Sequence, residues 1–139
     1  MNFWQKLFGR RMDEQTDRPA SIPATQPEPV SVNEISPQAL KVRLDNGDNI
    51  LVIDMRQGWE YQSGHIPGAK HIFVQDIPQR LNELPSEVDL VFQCWHGYTS
   101  LDVSAFVIEQ GWPANRVASL SGGIAGWVQA HGRASLVRA

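Results

Sequence analysis

Two short apolar runs, each closing on a polar residue, constrain this chain more than anything else in it. Ile50-Leu51-Val52-Ile53 ends at Asp54, and Leu90-Val91-Phe92 runs through Gln93 into Cys94. Neither run alternates apolar with polar, so each reads as a strand covered on both faces. The stretches around them supply the covering helices. Ser36 caps and Pro37 opens a helix predicted to reach about Asn46, with Gly47 ending it. His71 to Val74 reads as a short strand, and Asp76 to Leu84 as a helix with Pro78 in its first turn. Ser100 to Gln110 is an amphipathic helix closed by Gly111. Arg116 to Leu120 is the next strand and Ile124 to His131 the last helix. Strands alternating with helices predict an α/β fold, a single domain with a central parallel sheet and helices on both faces.

The length of 139 residues suits one domain, and 42% hydrophobic with 19% charged residues is ordinary for a folded, water-exposed protein. A net charge of -3 offers no basic stripe for phosphates, so nucleic acid is not an expected partner. The single cysteine excludes an internal disulfide, and with four scattered histidines it matches no zinc spacing. No metal and no cofactor are expected, and the setting is expected to be reducing and cytoplasmic. The first residues show no secretory h-region, and no stretch reaches transmembrane length.

The chain changes character near Val32. Residues 13–31 carry Pro19, Pro23, Pro27 and Pro29 among polar neighbours and read as a linker to a domain at 32–139. Residues 1–12 set Phe3, Trp4, Leu7 and Phe8 at helical spacing beside Lys6, Arg10 and Arg11. Such a segment suits weak docking to an anionic membrane or a protein partner, which would place the protein peripherally at the membrane. A frayed terminus is the plainer alternative.

Ligands of open α/β sheets bind beyond the carboxyl ends of the strands. Cys94 stands at such an end, followed by Trp95, His96, Gly97, Tyr98, Thr99 and then Ser100. A Gly-containing loop feeding a helix can turn successive N–H groups toward one point, where the positive end of the helix dipole also lies. Both effects favour the thiolate over the thiol, and the same cradle can hold an anion beside the sulfur. A buried, inert cysteine is the alternative reading of position alone.

The residues around Cys94 resemble the rhodanese family. Its cysteine loop appears as CWHGYT followed by Ser100, and the His96-Gly97 pair is similar to single-domain bacterial thiosulfate sulfurtransferases. A strand-end Asp-Val-Arg-type triplet appears as Asp54-Met55-Arg56, with Glu60 following. The GHIPGA signature is present as Gly64-His65-Ile66-Pro67-Gly68-Ala69, and Ser121-Gly122-Gly123 with Trp127 matches the closing motif. The resemblance covers about Val32 to His131. It implies a transferase in which Cys94 attacks the sulfane sulfur of a donor such as thiosulfate, holds it as a persulfide, and yields it to a thiophilic acceptor. That acceptor is cyanide in an assay, and a thiol or a sulfur-carrier protein in the cell.

Each matched residue also has a plain physical reading. Asp54 and Arg56 suit a structural ion pair that braces the loop, and His65 suits a hydrogen-bonded turn histidine. Gly122 and Gly123 let the backbone pass close to the loop, and Trp127 belongs in the core. In the loop, the Thr99 and Ser100 hydroxyls suit donation to a sulfur anion or an N-cap. His96 can offer partial positive charge, and Trp95 and Tyr98 can wall a pocket. Two other functions fit the same pattern less well. A phosphatase of His-Cys-x5-Arg type would need an arginine where Ser100 stands, and a non-catalytic docking module would not need Cys94.

Overall fold

The side chains of the two apolar runs divide between the faces of one sheet. In a computed structural model that describes residues 30–139, strands β1 (Asn33–Ile35), β2 (Ile50–Asp54), β3 (Lys70–His71), β4 (Asp89–Gln93) and β5 (Val117–Leu120) pair in the order β1-β5-β4-β2-β3. Every pairing is parallel. The helices are α1 (Pro37–Asp45), α2 (Gly58–Ser63), α3 (Tyr98–Glu109) and α4 (Gly123–His131). Segment 1–12 and nearly all of 13–31 lie outside the described residues.

Val52 of β2 and Val91 of β4 pack with Leu40 of α1 and with Ile124 and Trp127 of α4. Their neighbours Ile53, Leu90 and Phe92 point the other way, onto Val103 and Val107 of α3 and onto Ile77. Alternation along each strand thus feeds two cores, which is why the sequence runs are apolar throughout. Each fully buried side chain of this size contributes roughly 1.5–3 kcal/mol. The order of the sheet puts β4 between β2 and β5. In register, Asp54 faces Gln93 and Phe92 faces Ser119. The loops leaving β2, β4 and β5 therefore meet at one edge.

Ser36 caps α1 as read from the sequence: its Oγ accepts the Ala39 N–H at 3.0 Å, and Pro37 opens the helix. Other elements depart from the expectation. The strand expected at His71–Val74 is only Lys70–His71, because Val74 already begins a helical turn. The helix expected at Asp76–Leu84 is a 3-10 segment, Val74–Glu83. Pro78 removes a backbone donor inside it, and Arg80 leaves helical geometry with φ -116 and ψ 21. Helix α3 starts at Tyr98 rather than Ser100, with Gly97 as its N-cap. Strand β1 and helix α2 went unread.

Candidate functional site

Cys94 directly follows β4, so its backbone is anchored by a central strand of the sheet. The turn that follows is set by Gly97, whose φ of 93 lies in the left-handed region. A Cβ there would stand 3.0 Å from the Gly122 nitrogen and 3.1 Å from the Leu120 oxygen, so glycine is needed for both conformation and space. The reversal wraps the loop around the sulfur. The Gly97 N–H points at Sγ at 3.2 Å and the Ser100 N–H at 3.4 Å. The Ser100 hydroxyl lies 3.5 Å from Sγ, accepting from the thiol, and it meets the Ser119 hydroxyl at 2.6 Å. Both serines are fully buried. The N-terminal end of α3, with its positive dipole, faces the sulfur.

The loop is held from behind by α4. Ile124 donates its N–H to the Cys94 carbonyl at 2.8 Å, and Ala125 donates to the Trp95 carbonyl at 3.0 Å. These carbonyls satisfy donors that the first turn of any helix leaves open. The approach is so close that a Cβ on Gly123 would fall 2.5 Å from either oxygen.

Above the sulfur lies a cavity of about 260 Å³ walled by Met55, Arg56, Gln57, Glu60, Phe73, Val74, Trp95, His96, Tyr98 and Thr99. Trp95, though half-exposed, is a braced wall. The indole N–H donates to the Glu60 carboxylate, and the Arg56 guanidinium sits 5.2 Å from the ring centroid, a cation–π contact. Glu60 in turn accepts the Gln57 N–H at 3.0 Å, closing a capping box at the start of α2. Arg56 is buried and forks onto the fully buried Asp54, with its Nη2 2.7 Å from the carboxylate. It also donates to the Gly64 carbonyl at 2.7 Å. Its charge is engaged by Asp54, and its plane braces the indole.

The model of the rhodanese-like domain matches residues 36–130. The chain belongs to the rhodanese-like family. A sulfurtransferase of Allochromatium vinosum is 37% identical over 101 residues, which span 73% of this chain and 92% of that protein. The thiosulfate sulfurtransferase GlpE of Shewanella oneidensis is 28% identical over 73% of this chain and 93% of its own length. A crystal structure of a rhodanese-like domain protein from Staphylococcus aureus superposes with a TM-score of 0.68 at 25% identity, covering 78% of this chain and 99% of that one.

The rhodanese-like motifs fall into distinct places. Cys94, Gly97 and Ser100 form the sulfur cradle, while Trp95, His96, Tyr98, Thr99 and Arg56 line the cavity. His96 and Tyr98 are exposed at its rim, and Asp54 stands behind Arg56. His65 is not part of the lining. Its ring is buried, bonds through Nδ1 to the Tyr61 carbonyl at 2.8 Å, and stacks on Tyr61 at 3.8 Å. The N-cap role read for Thr99 and Ser100 is overturned, because Gly97 caps α3 with no side-chain bond. Ser100 sits in the first turn, where its N–H and hydroxyl both reach the sulfur. Sequence reasoning missed what Glu60 and Ser119 do. The Gln57-x-x-Glu60 spacing is a capping-box signal, and Ser119 is a lone hydroxyl near the end of an apolar strand.

Proposed function

We propose that this protein is a sulfurtransferase that carries sulfane sulfur as a persulfide on Cys94. Its donor is of the thiosulfate kind, and its acceptor is cyanide in an assay and a thiol or a sulfur-carrier protein in the cell. The observation that carries this reading is the convergence of the Gly97 N–H, the Ser100 N–H and the Ser100 hydroxyl on one sulfur that opens into a cavity. The two N–H groups donate to the sulfur. The hydroxyl, which accepts from the thiol, can turn to donate once that proton is gone, so an anion is stabilised there without any neighbouring base. The names of the Allochromatium and Shewanella relatives point the same way.

In the first step the Cys94 thiolate attacks the outer sulfur of thiosulfate. The new S–S bond forms as the old one breaks, and sulfite leaves with the electron pair. In the second step an acceptor nucleophile attacks the outer sulfur of the persulfide, and the electron pair returns to Sγ. One cysteine suffices, because the acceptor resolves the covalent intermediate. A phosphatase would need a guanidinium free to fork onto phosphate. Ser100 occupies that loop position, and Arg56 is engaged by Asp54. The single cysteine also suits a reducing, cytoplasmic setting.

The test is intact mass after incubation of the reduced protein with thiosulfate. The native chain is expected to gain one sulfur atom and lose it to cyanide, while Cys94→Ser gains none. A native chain that gains no sulfur from thiosulfate or mercaptopyruvate would overturn the reading.

A further inference from the structure

A second cavity, of about 500 Å³, adjoins the first. Arg56, Glu60 and Trp95 line both, but Cys94 lines only the first. The apolar surface of the second comes from Trp59, Trp95, Val128 and Leu136, and Trp59 is 68% exposed. Its volume falls in the range of small-molecule sites. Besides the buried Arg56, its cations are Arg133 and Arg138, both exposed. Among the described residues Arg43, Arg56 and Arg80 each hold a carboxylate, and Arg116 holds the Glu87 carbonyl. Arg133 and Arg138 hold neither. The acid of the lining, Glu60, has one oxygen taken by the Trp95 indole and the other by the Gln57 N–H.

We infer that this groove binds the sulfur acceptor, and that the acceptor is a low-molecular-weight thiol bearing carboxylates. The inference rests on the persulfide reading above. In the cavity over Cys94 the backbone donors are directed at the sulfur and Arg56 is tied to Asp54, so no unengaged guanidinium is left there for the carboxylates of an acceptor. The groove supplies two guanidiniums beside apolar surface, a pairing that matches a carboxylate on an organic frame. An acceptor seated there lies against Trp95, the shared wall, with its thiol directed to the first cavity. In the transfer the acceptor thiolate attacks the outer persulfide sulfur, the bond to Sγ breaks, and Cys94 leaves as thiolate. No outside oxidant or reductant is needed.

The full-length protein is first loaded with thiosulfate, and its gain of one sulfur atom is checked by mass. A failure at that stage counts against the persulfide reading itself, before any acceptor is added. Loaded protein is then discharged with mercaptosuccinate or with 2-mercaptoethanol, and the ratio of the two rate constants is compared between variants, which cancels intrinsic thiol reactivity. Native protein is expected to show saturation with mercaptosuccinate. The R133Q/R138Q pair is expected to lower the ratio by about tenfold, as loss of two charge-assisted contacts implies. The R133K/R138K pair is expected to restore part of it, because the charge is kept while the planar fork is lost. A ratio unchanged in R133Q/R138Q, or a native discharge by mercaptosuccinate that never saturates, overturns the proposal. The second result would leave a protein acceptor as the occupant of this face.

Discussion

Gly123 tests whether the Cys94 loop depends on the closeness of α4. Its φ of +60 is left-handed, and a Cβ would lie 2.5 Å from the carbonyl oxygens of Cys94 and Trp95 and 2.6 Å from the Trp95 carbonyl carbon. That is 0.5 Å inside the 3.0 Å that real Cβ contacts essentially never breach. In Gly123→Ala the loop must move away, lengthening the Ile124 to Cys94 and Ala125 to Trp95 bonds. Left-handed strain contributes about 1–2 kcal/mol, and the two bonds about 1 kcal/mol each. The sum is roughly 3–4 kcal/mol. Gly47→Ala is the control, because Gly47 has a similar φ of +72 with nothing within 4 Å of its Cβ position. It is expected to cost only the strain. Urea unfolding followed by tryptophan fluorescence reads the difference, about 2 kcal/mol, as a midpoint lower by about 1 M. Persulfide loading, followed by mass, is expected to slow at least about tenfold in Gly123→Ala and to hold in Gly47→Ala. Equal midpoints for the two variants, or native loading in Gly123→Ala, would refute the reasoning.

Three further comparisons separate the serine pair, the buried ion pair and a half-buried phenol. Ser100→Ala removes the hydroxyl at the sulfur and is expected to slow single-turnover loading about tenfold or more, as loss of a bond to a charged group implies. Ser119→Ala acts only through Ser100 and is expected to slow it less; the reverse order would show that the serine pair is misassigned. Asp54→Asn leaves the buried Arg56 charge without its counter-charge, and chemical denaturation is expected to show a loss of about 3–5 kcal/mol. Asp48→Asn breaks a largely exposed pair with Arg43 and is expected to cost under about 1 kcal/mol. Burial, and secondarily the Asp54 carboxylate, push the Tyr61 phenol up from its usual range. The folded state therefore keeps that proton more tightly, so its contribution is complete below about pH 10 and is lost as pH rises through the higher folded value. Urea unfolding at pH 9 and pH 11 is expected to show a decline in the native protein that is smaller in Tyr61→Phe. An equal decline in both would assign it elsewhere.

What could be read from the residues alone divides along physical lines. Ile50–Ile53 and Leu90–Phe92 are legible because burial on both faces leaves no polar position in either strand. Ser36 and Pro37 mark a helix start for reasons local to the chain. Helix α2 has only six residues, too few to show a period, and β3 has two. The 3-10 segment carries apolar residues at helical spacing, but Pro78 and the break at Arg80 decide its form. At the site, Cys94 and its glycine are local and could be placed, whereas α3 begins two residues before the expected Ser100 because Gly97 caps it without a side chain. Glu60 on Trp95 and Ser119 on Ser100 join residues 35 and 19 positions apart, so only the sheet order brings them together.

That sheet order also explains why one short loop can hold the Cys94 sulfur so firmly. The loop from Cys94 to Gly97 serves two helices at once. Its sulfur accepts from the first turn of α3, and its carbonyls accept from the first turn of α4. Each of these N–H groups would otherwise need water or a capping side chain, and neither helix has a side-chain cap. Helix capping and sulfur stabilisation are therefore the same set of contacts. Gly97 and Gly123 are the two positions where this double use demands backbone without a Cβ, and the Cβ position of Gly97 lies 3.4 Å from the Gly123 nitrogen. Backbone donors carry no titratable proton, so the cradle holds its polarity at any pH at which the fold stands. The charged side chains nearby are engaged, Arg56 by Asp54 and Glu60 by the Trp95 indole, and they set the shape of the cavity. Side chains form the walls, and the sulfur is left to the backbone and one serine.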